Sequence, residues 1–148
     1  GGQMAPTSLP GQITQTSPYG RDVNTCGWPI RICEMLATLE APAYLERVTV
    51  NNVKNVKSAK KAIEKAFRYQ VEGKGFSLIE VLSTCPTNWG LTPQDSFAWM
   101  RENMLPYYPL GVVRDVTADG FANAAEAASA RNAACPIAHP EAVSEGGN

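Results

Sequence analysis

Between Ala43 and Asp95 two short apolar runs bracket a long stretch of helical period. Phe76 to Leu82 (FSLIEVL) is interrupted only by Ser77 and Glu80 and is bounded by Gly75 and Pro86. That pattern predicts a strand buried on both faces of a parallel sheet. Ala43 to Val50 (AYLERVTV), after the break at Pro42, predicts a second strand rich in β-branched and aromatic residues. Asn52 is a candidate N-cap for a helix over Val53 to Glu72, in which Val56, Ala59, Ile63, Ala66, Phe67 and Val71 form an apolar stripe. Gly73 and Gly75 end it. Strand, helix and strand make one βαβ unit with an expected right-handed crossover.

The flanks are less regular. Pro29 to Leu39 places Ile30, Cys33, Leu36 and Ala37 at helical spacing, with Pro29 in a first-turn position. Thr92-Pro93-Gln94-Asp95 reads as a helix start, carrying Phe97, Met100 and Met104 on one face, and Pro106 and Pro109 are expected to stop it. Gly1 to Arg21 reads as loop. Ala122 to Ala134 is alanine-rich, helical by propensity with little to bury, and Glu141 to Asn148 reads as disordered. The chain therefore divides into residues 1–115 and a weakly structured tail, 116–148. Two strands cannot make a stable parallel sheet alone. Together with the opening Gly1-Gly2-Gln3-Met4, this leads us to expect a piece of a larger protein.

A net charge of −1 over 148 residues gives no overall field toward nucleic acid or an anionic membrane. No apolar run approaches the roughly 20 residues of a membrane span. The expectation is a soluble, cytoplasmic protein. Lys54, Lys57, Lys60, Lys61, Lys65 and Arg68 lie mostly off the helix stripe and read as a solvated face. Cys26, Cys33, Cys85 and Cys135 form no C-x-x-C pair, so a self-contained zinc site is not expected and reduced thiols are. Cys33 reads as a small buried hydrophobe, and Glu46 and Arg47 as an ion pair or an exposed edge. His139 is the only histidine and sits in the tail, so no Cys–His catalytic pair can be assembled.

Chemistry concentrates in Ser83-Thr84-Cys85-Pro86-Thr87-Asn88-Trp89. These residues lie beyond the carboxyl end of a predicted strand, where α/β sheets bind ligands. At the other motif, Gly1-Gly2-Gln3, paired glycines allow close backbone approach to a ligand such as a phosphate.

Taken together, GGQMAPTSLPGQ at Gly1–Gln12, TSPYGR at Thr16–Arg21, EVLSTCPTNWGLTP at Glu80–Pro93 and YYPLGVVRD at Tyr107–Asp115 resemble the beta subunit of the 2-oxoacid:ferredoxin oxidoreductases. The resemblance implies the C-terminal part of a thiamine-diphosphate-binding α/β fold, a parallel sheet flanked by helices. It implies that Gly1, Gly2 and Gln3 end the motif holding magnesium and the cofactor's diphosphate, and that Cys85 is one ligand of a 4Fe–4S cluster. The remaining cysteines and the magnesium ligands belong to a segment absent here; Cys26, Cys33 and Cys135 do not match them. The implied partners are the alpha and other subunits, ferredoxin, a 2-oxoacid and coenzyme A. The implied substrate class is 2-oxoglutarate or a branched-chain 2-oxoacid, and the fragment alone is expected to be inactive. A second reading is a non-catalytic α/β interaction or assembly module. Cys85 discriminates: a ligand-facing loop suits the first, an apolar contact the second. A cysteine-nucleophile enzyme lacks a base and ranks last.

Overall fold

A computed structural model describes residues 5–134; Gly1, Gly2, Gln3, Cys135 and His139 lie outside them. Two short helices, α1 (Val23–Cys26) and α2 (Ile32–Leu36), follow a run of turns. The expected βαβ unit is present: β1 (Pro42–Thr49), α3 (Val53–Val71) and β2 (Phe76–Leu82), the two strands pairing in parallel with Leu45 opposite Leu78 and Thr49 opposite Leu82. The Asn52 side chain accepts from Asn55 N at 2.9 Å and caps α3. Gly73, at φ +65°, takes the left-handed turn that ends it.

After β2 come α4 (Pro86–Trp89) and α5 (Pro93–Trp99), then a π-helical turn (Met100–Met104) running into α6 (Leu105–Tyr107). Thr92 caps α5 as expected. Pro106 does not stop the helix. It sits in the first turn of α6, immediately after the widened π turn, where a missing N–H breaks no established ladder. β3 (Gly111–Asp115) follows, and α7 (Ala124–Ala133) closes the described chain.

The sheet order is β2-β1-β3. The expected parallel sheet is thus corrected to a small mixed one, because β3 pairs antiparallel with β1, Gly111 opposite Arg47 and Asp115 opposite Tyr44. The helix ending at Tyr107 delivers the chain beside the C-terminal half of β1, so the next strand runs back along its free edge. A second correction concerns β2. It is an edge strand with Phe76 and Val81 exposed, while β1, between two neighbours, is buried almost throughout.

On one sheet face Tyr44 and Val48 meet Ala59, Ala62 and Tyr69 of α3. Of the predicted stripe Ala59 is buried and Ala66 partly so, but the buried face runs through Ala59, Ala62 and Tyr69 rather than through Ile63, Phe67 and Val71. Small residues let the helix sit close to β1, and Ile63, Phe67 and Val71 are left flanking it, 40%, 69% and 86% exposed. On the other face Leu82 joins Leu9, Met100, Met104 and Tyr108. Within the predicted tail, Val116, Ala124 and Ala127 are buried with Tyr44 and Tyr69, and Ala124 N donates to Lys74 O at 2.8 Å. Gly75 makes room for Ala124: a Cβ on Gly75 would come within 2.9 Å of the Ala124 Cβ. No helix among the described residues is long and apolar enough to cross a membrane.

Candidate functional site

The strand-end loop leaves the core at Leu82, which is buried. Its carbonyl accepts from Thr49 Oγ1 at 3.0 Å, locking the carboxyl ends of β1 and β2 together. Ser83 and Thr84 follow, and Cys85 takes the N-cap position of α4 with its side chain exposed. The Cys85 carbonyl accepts from Trp89 N at 3.0 Å, so the backbone is held while the thiol stays at the surface. Gly90, at φ +66°, turns the chain toward α5. The thiol thus sits exposed on a short, closed turn at the sheet end rather than in an apolar contact.

The segment that follows Gly-Gly-Gln packs against this same sheet end. Gln15 N donates to Asn88 O at 2.9 Å, and Tyr108 Oη donates to Thr7 O at 3.0 Å. Leu9 is buried beside Leu82. Residues 7–15 and the strand-end loop, some seventy positions apart, are therefore one structural unit. A cleft of about 380 Å³ lies between them, walled by Leu9 to Ile13 on one side and by Trp89, Leu91, Trp99 and Asn103 on the other. The rings of Trp89 and Trp99 are tilted at 56° with centroids 5.0 Å apart.

A residue not singled out from the sequence organises that N-terminal segment. Arg21 is buried and donates to five main-chain carbonyls. Its Nε reaches Gly27 O at 2.9 Å, Nη1 reaches Ala5 O and Ser8 O at 3.0 and 3.2 Å, and Nη2 reaches Cys26 O and Trp28 O at 3.2 and 3.3 Å. A guanidinium's five N–H donors suit this task. The available signal was a lone arginine in a Gly- and Pro-rich loop with few donors of its own.

Deeper in the sheet, Arg47 is fully buried. Nε donates to Glu80 Oε2 at 2.8 Å, Nη1 to Glu34 Oε1 at 2.9 Å and to Pro109 O at 3.2 Å, and Nη2 also bonds Glu34. Burial works against its charged form, yet the two carboxylates outweigh it and hold the guanidinium above its ordinary value. The same hydrogen bonds hold Glu34 below the usual carboxylate range. Arg47 is ion-paired, but with Glu34 and Glu80 rather than with Glu46. Cys33 is buried as expected, and burial, reinforced by the nearby Glu80 carboxylate, pushes its thiol up to about 12. It is inert at neutral pH. Cys26, Cys33 and Cys85 are all free thiols.

On the opposite face Asp115 Oδ2 accepts from Lys65 Nζ at 2.5 Å, and Oδ1 accepts from Tyr69 Oη at 2.8 Å and from Thr117 Oγ1 at 2.9 Å. Burial disfavours its charge, but these bonds prevail and bring its carboxyl down to about 2. Both charge clusters are closed and structural. Among the described residues no group of three or more His, Cys, Asp or Glu is gathered to hold a metal ion, and Cys85 is a free, exposed thiol.

No family model and no solved structure matches the chain. Among curated proteins it is similar to the ketoisovalerate oxidoreductase subunit VorA of Methanothermobacter thermautotrophicus, 41% identical over 119 residues, which is 80% of this chain and 25% of that protein. The VorA subunit of Methanothermobacter marburgensis is 42% identical over 115 residues, 78% of this chain and 24% of that protein. The 2-oxoglutarate synthase subunit KorB of Methanocaldococcus jannaschii is 34% identical over 110 residues, 71% of this chain and 36% of that protein. The chain spans a quarter to a third of the length of these relatives. Over that portion the chain is a homologue of the 2-oxoacid oxidoreductase subunits VorA and KorB.

Proposed function

We propose that this chain is part of a cytoplasmic enzyme subunit that oxidatively decarboxylates a 2-oxoacid to an acyl-CoA, releasing carbon dioxide and passing two electrons to ferredoxin. The fold would be part of a thiamine-diphosphate-binding domain, working with an alpha subunit and further subunits. The observation that carries this reading is the tie between the segment after Gly-Gly-Gln and the Cys85 loop at one sheet end. Exposure of Cys85 on that loop favours the enzyme over a non-catalytic assembly module.

Gly1, Gly2 and Gln3 would contact the diphosphate and its magnesium ion. A 4Fe–4S cluster takes four thiolates, and the surface thiol of Cys85 fits as one of them, the others coming from outside this chain. When bound, thiamine diphosphate supplies the electron sink that decarboxylation needs, and the cluster carries the electrons away. The chain's own part is positional. Arg21 fixes the backbone of the N-terminal turns, Thr49 fixes the strand end, and the α4 turn holds the thiol outward. Higher identity to the ketoisovalerate subunits than to the 2-oxoglutarate subunit favours a branched-chain 2-oxoacid as substrate.

The test is iron and sulfide content, with an electron paramagnetic resonance spectrum, of the complete protein purified without oxygen, beside Cys85→Ser. We expect a cluster in the parent and its loss or altered signal in the variant. An iron-free parent, or an unchanged signal in the variant, rejects Cys85 as a ligand.

A further inference from the structure

The outward face of α3 carries a charge that nothing in the described fold neutralises. Between Val53 and Val71 stand six cations, Lys54, Lys57, Lys60, Lys61, Lys65 and Arg68, against one acid, Glu64, in a chain whose net charge is −1. Lys65 is turned inward to Asp115. The other five are exposed and make no ion pair among the described residues. Lys54, Lys57, Lys61 and Arg68 recur at three-, four- and seven-residue steps, which places them along one side of the helix.

The position of this stripe is what makes it informative. Thr49 and Leu82 are register partners at the carboxyl ends of β1 and β2. Lys54 lies five residues past the first and Cys85 three past the second. The basic N-terminal turns of α3 and the Cys85 loop therefore flank the same end of the sheet. A positive stripe attracts and orients an acidic surface, chiefly by speeding its association at low salt.

We infer that this face of α3 is the docking surface for an acidic electron-carrier protein, seated so that it takes electrons at the sheet end bearing Cys85. This rests on the oxidoreductase reading above and adds to it the place where the carrier binds. Charge complementarity selects the occupant: a patch of cations with little counter-charge of its own fits a carrier that must bind quickly and leave.

The complete enzyme with its companion subunits is assayed for 2-oxoacid-dependent reduction of methyl viologen and, separately, of an acidic ferredoxin at increasing ionic strength. In Lys54→Glu/Lys57→Glu/Lys61→Glu the viologen rate stays at the parent value. The KM for ferredoxin rises by roughly tenfold at low salt, and the salt dependence of kcat/KM flattens. Replacing the same three lysines by Gln gives an intermediate effect and separates lost attraction from introduced repulsion. An unchanged ferredoxin KM and salt dependence, with the viologen rate intact, overturns the inference. Loss of a companion subunit on gel filtration of the variant also overturns it, by assigning the face to a subunit contact. A parent without 2-oxoacid-dependent viologen reduction rejects the proposed function itself, a result distinct from the other two.

Discussion

β1 and β2 lie side by side in parallel register, yet the more polar of the two is the more deeply buried. β2 (FSLIEVL) reads as a core strand and is a half-open edge; β1 (PAYLERVT) carries Glu and Arg at its centre and is buried nearly end to end. The register pairs Val48, 4% exposed, with Val81, 43% exposed, and Arg47, fully buried, with Glu80. Burial here follows the number of neighbours a strand has, which composition does not encode. Charge in the central strand is tolerated because Glu34 and Glu80 close around Arg47.

The largest effect that tests this contrast is expected at Arg47. Arg47→Met leaves Glu80 in the interior without its cation and should destabilise the fold by about 3–5 kcal/mol, since breaking a buried pair leaves an uncompensated charge. Chemical denaturation measures it. A loss below about 1 kcal/mol would mean that the cluster is solvated and the central strand less enclosed than described. Next comes the paired truncation across the register. Val48→Ala should cost roughly 2 kcal/mol and Val81→Ala only about 0.5 kcal/mol. If further strands cover β2 in the complete protein, the Val81 value measured there will climb toward that of Val48.

An effect smaller than that at Val48 concerns Asp115, at the end of β3 on the far side of β1. Its carboxyl is held at about 2 against an ordinary 3.8. It therefore contributes stability that is fully present above the ordinary value and is lost as pH falls from about 4 through 2. Tyr69→Phe removes one of its donors, costs about 1 kcal/mol at neutral pH, and should shift this acid limb to higher pH in a pH series of unfolding curves.

How much of this was legible depended on whether a signal was local. Asn52, Thr92 and Gly73 mark their helix ends because caps are local chemistry, and all three act as read. The strand–helix–strand unit follows from period alone. β3 escaped because five residues lying between Pro109 and the Thr117 turn make too short a run to stand out. The buried face of α3 was read only in part: Ala59 was on the stripe, but the larger Ile63 and Phe67 looked like the core, while the sheet selected Ala62 and Tyr69 beside Ala59. Of the candidate site, the two motif segments were visible as strings. That they touch was not, since the contact is made by main-chain groups of Gln15 and Asn88 and by the carbonyl of Thr7.

Arg21 sets the N-terminal segment apart from the Arg47 and Asp115 clusters. Its partners are amide carbonyls, which neither gain nor lose protons at any ordinary pH. Whatever acidity or salt does to the lysine face or to the carboxylate clusters, the turns between Ala5 and Trp28 are held by dipoles around one enclosed cation. It should stay set under conditions that loosen its neighbours.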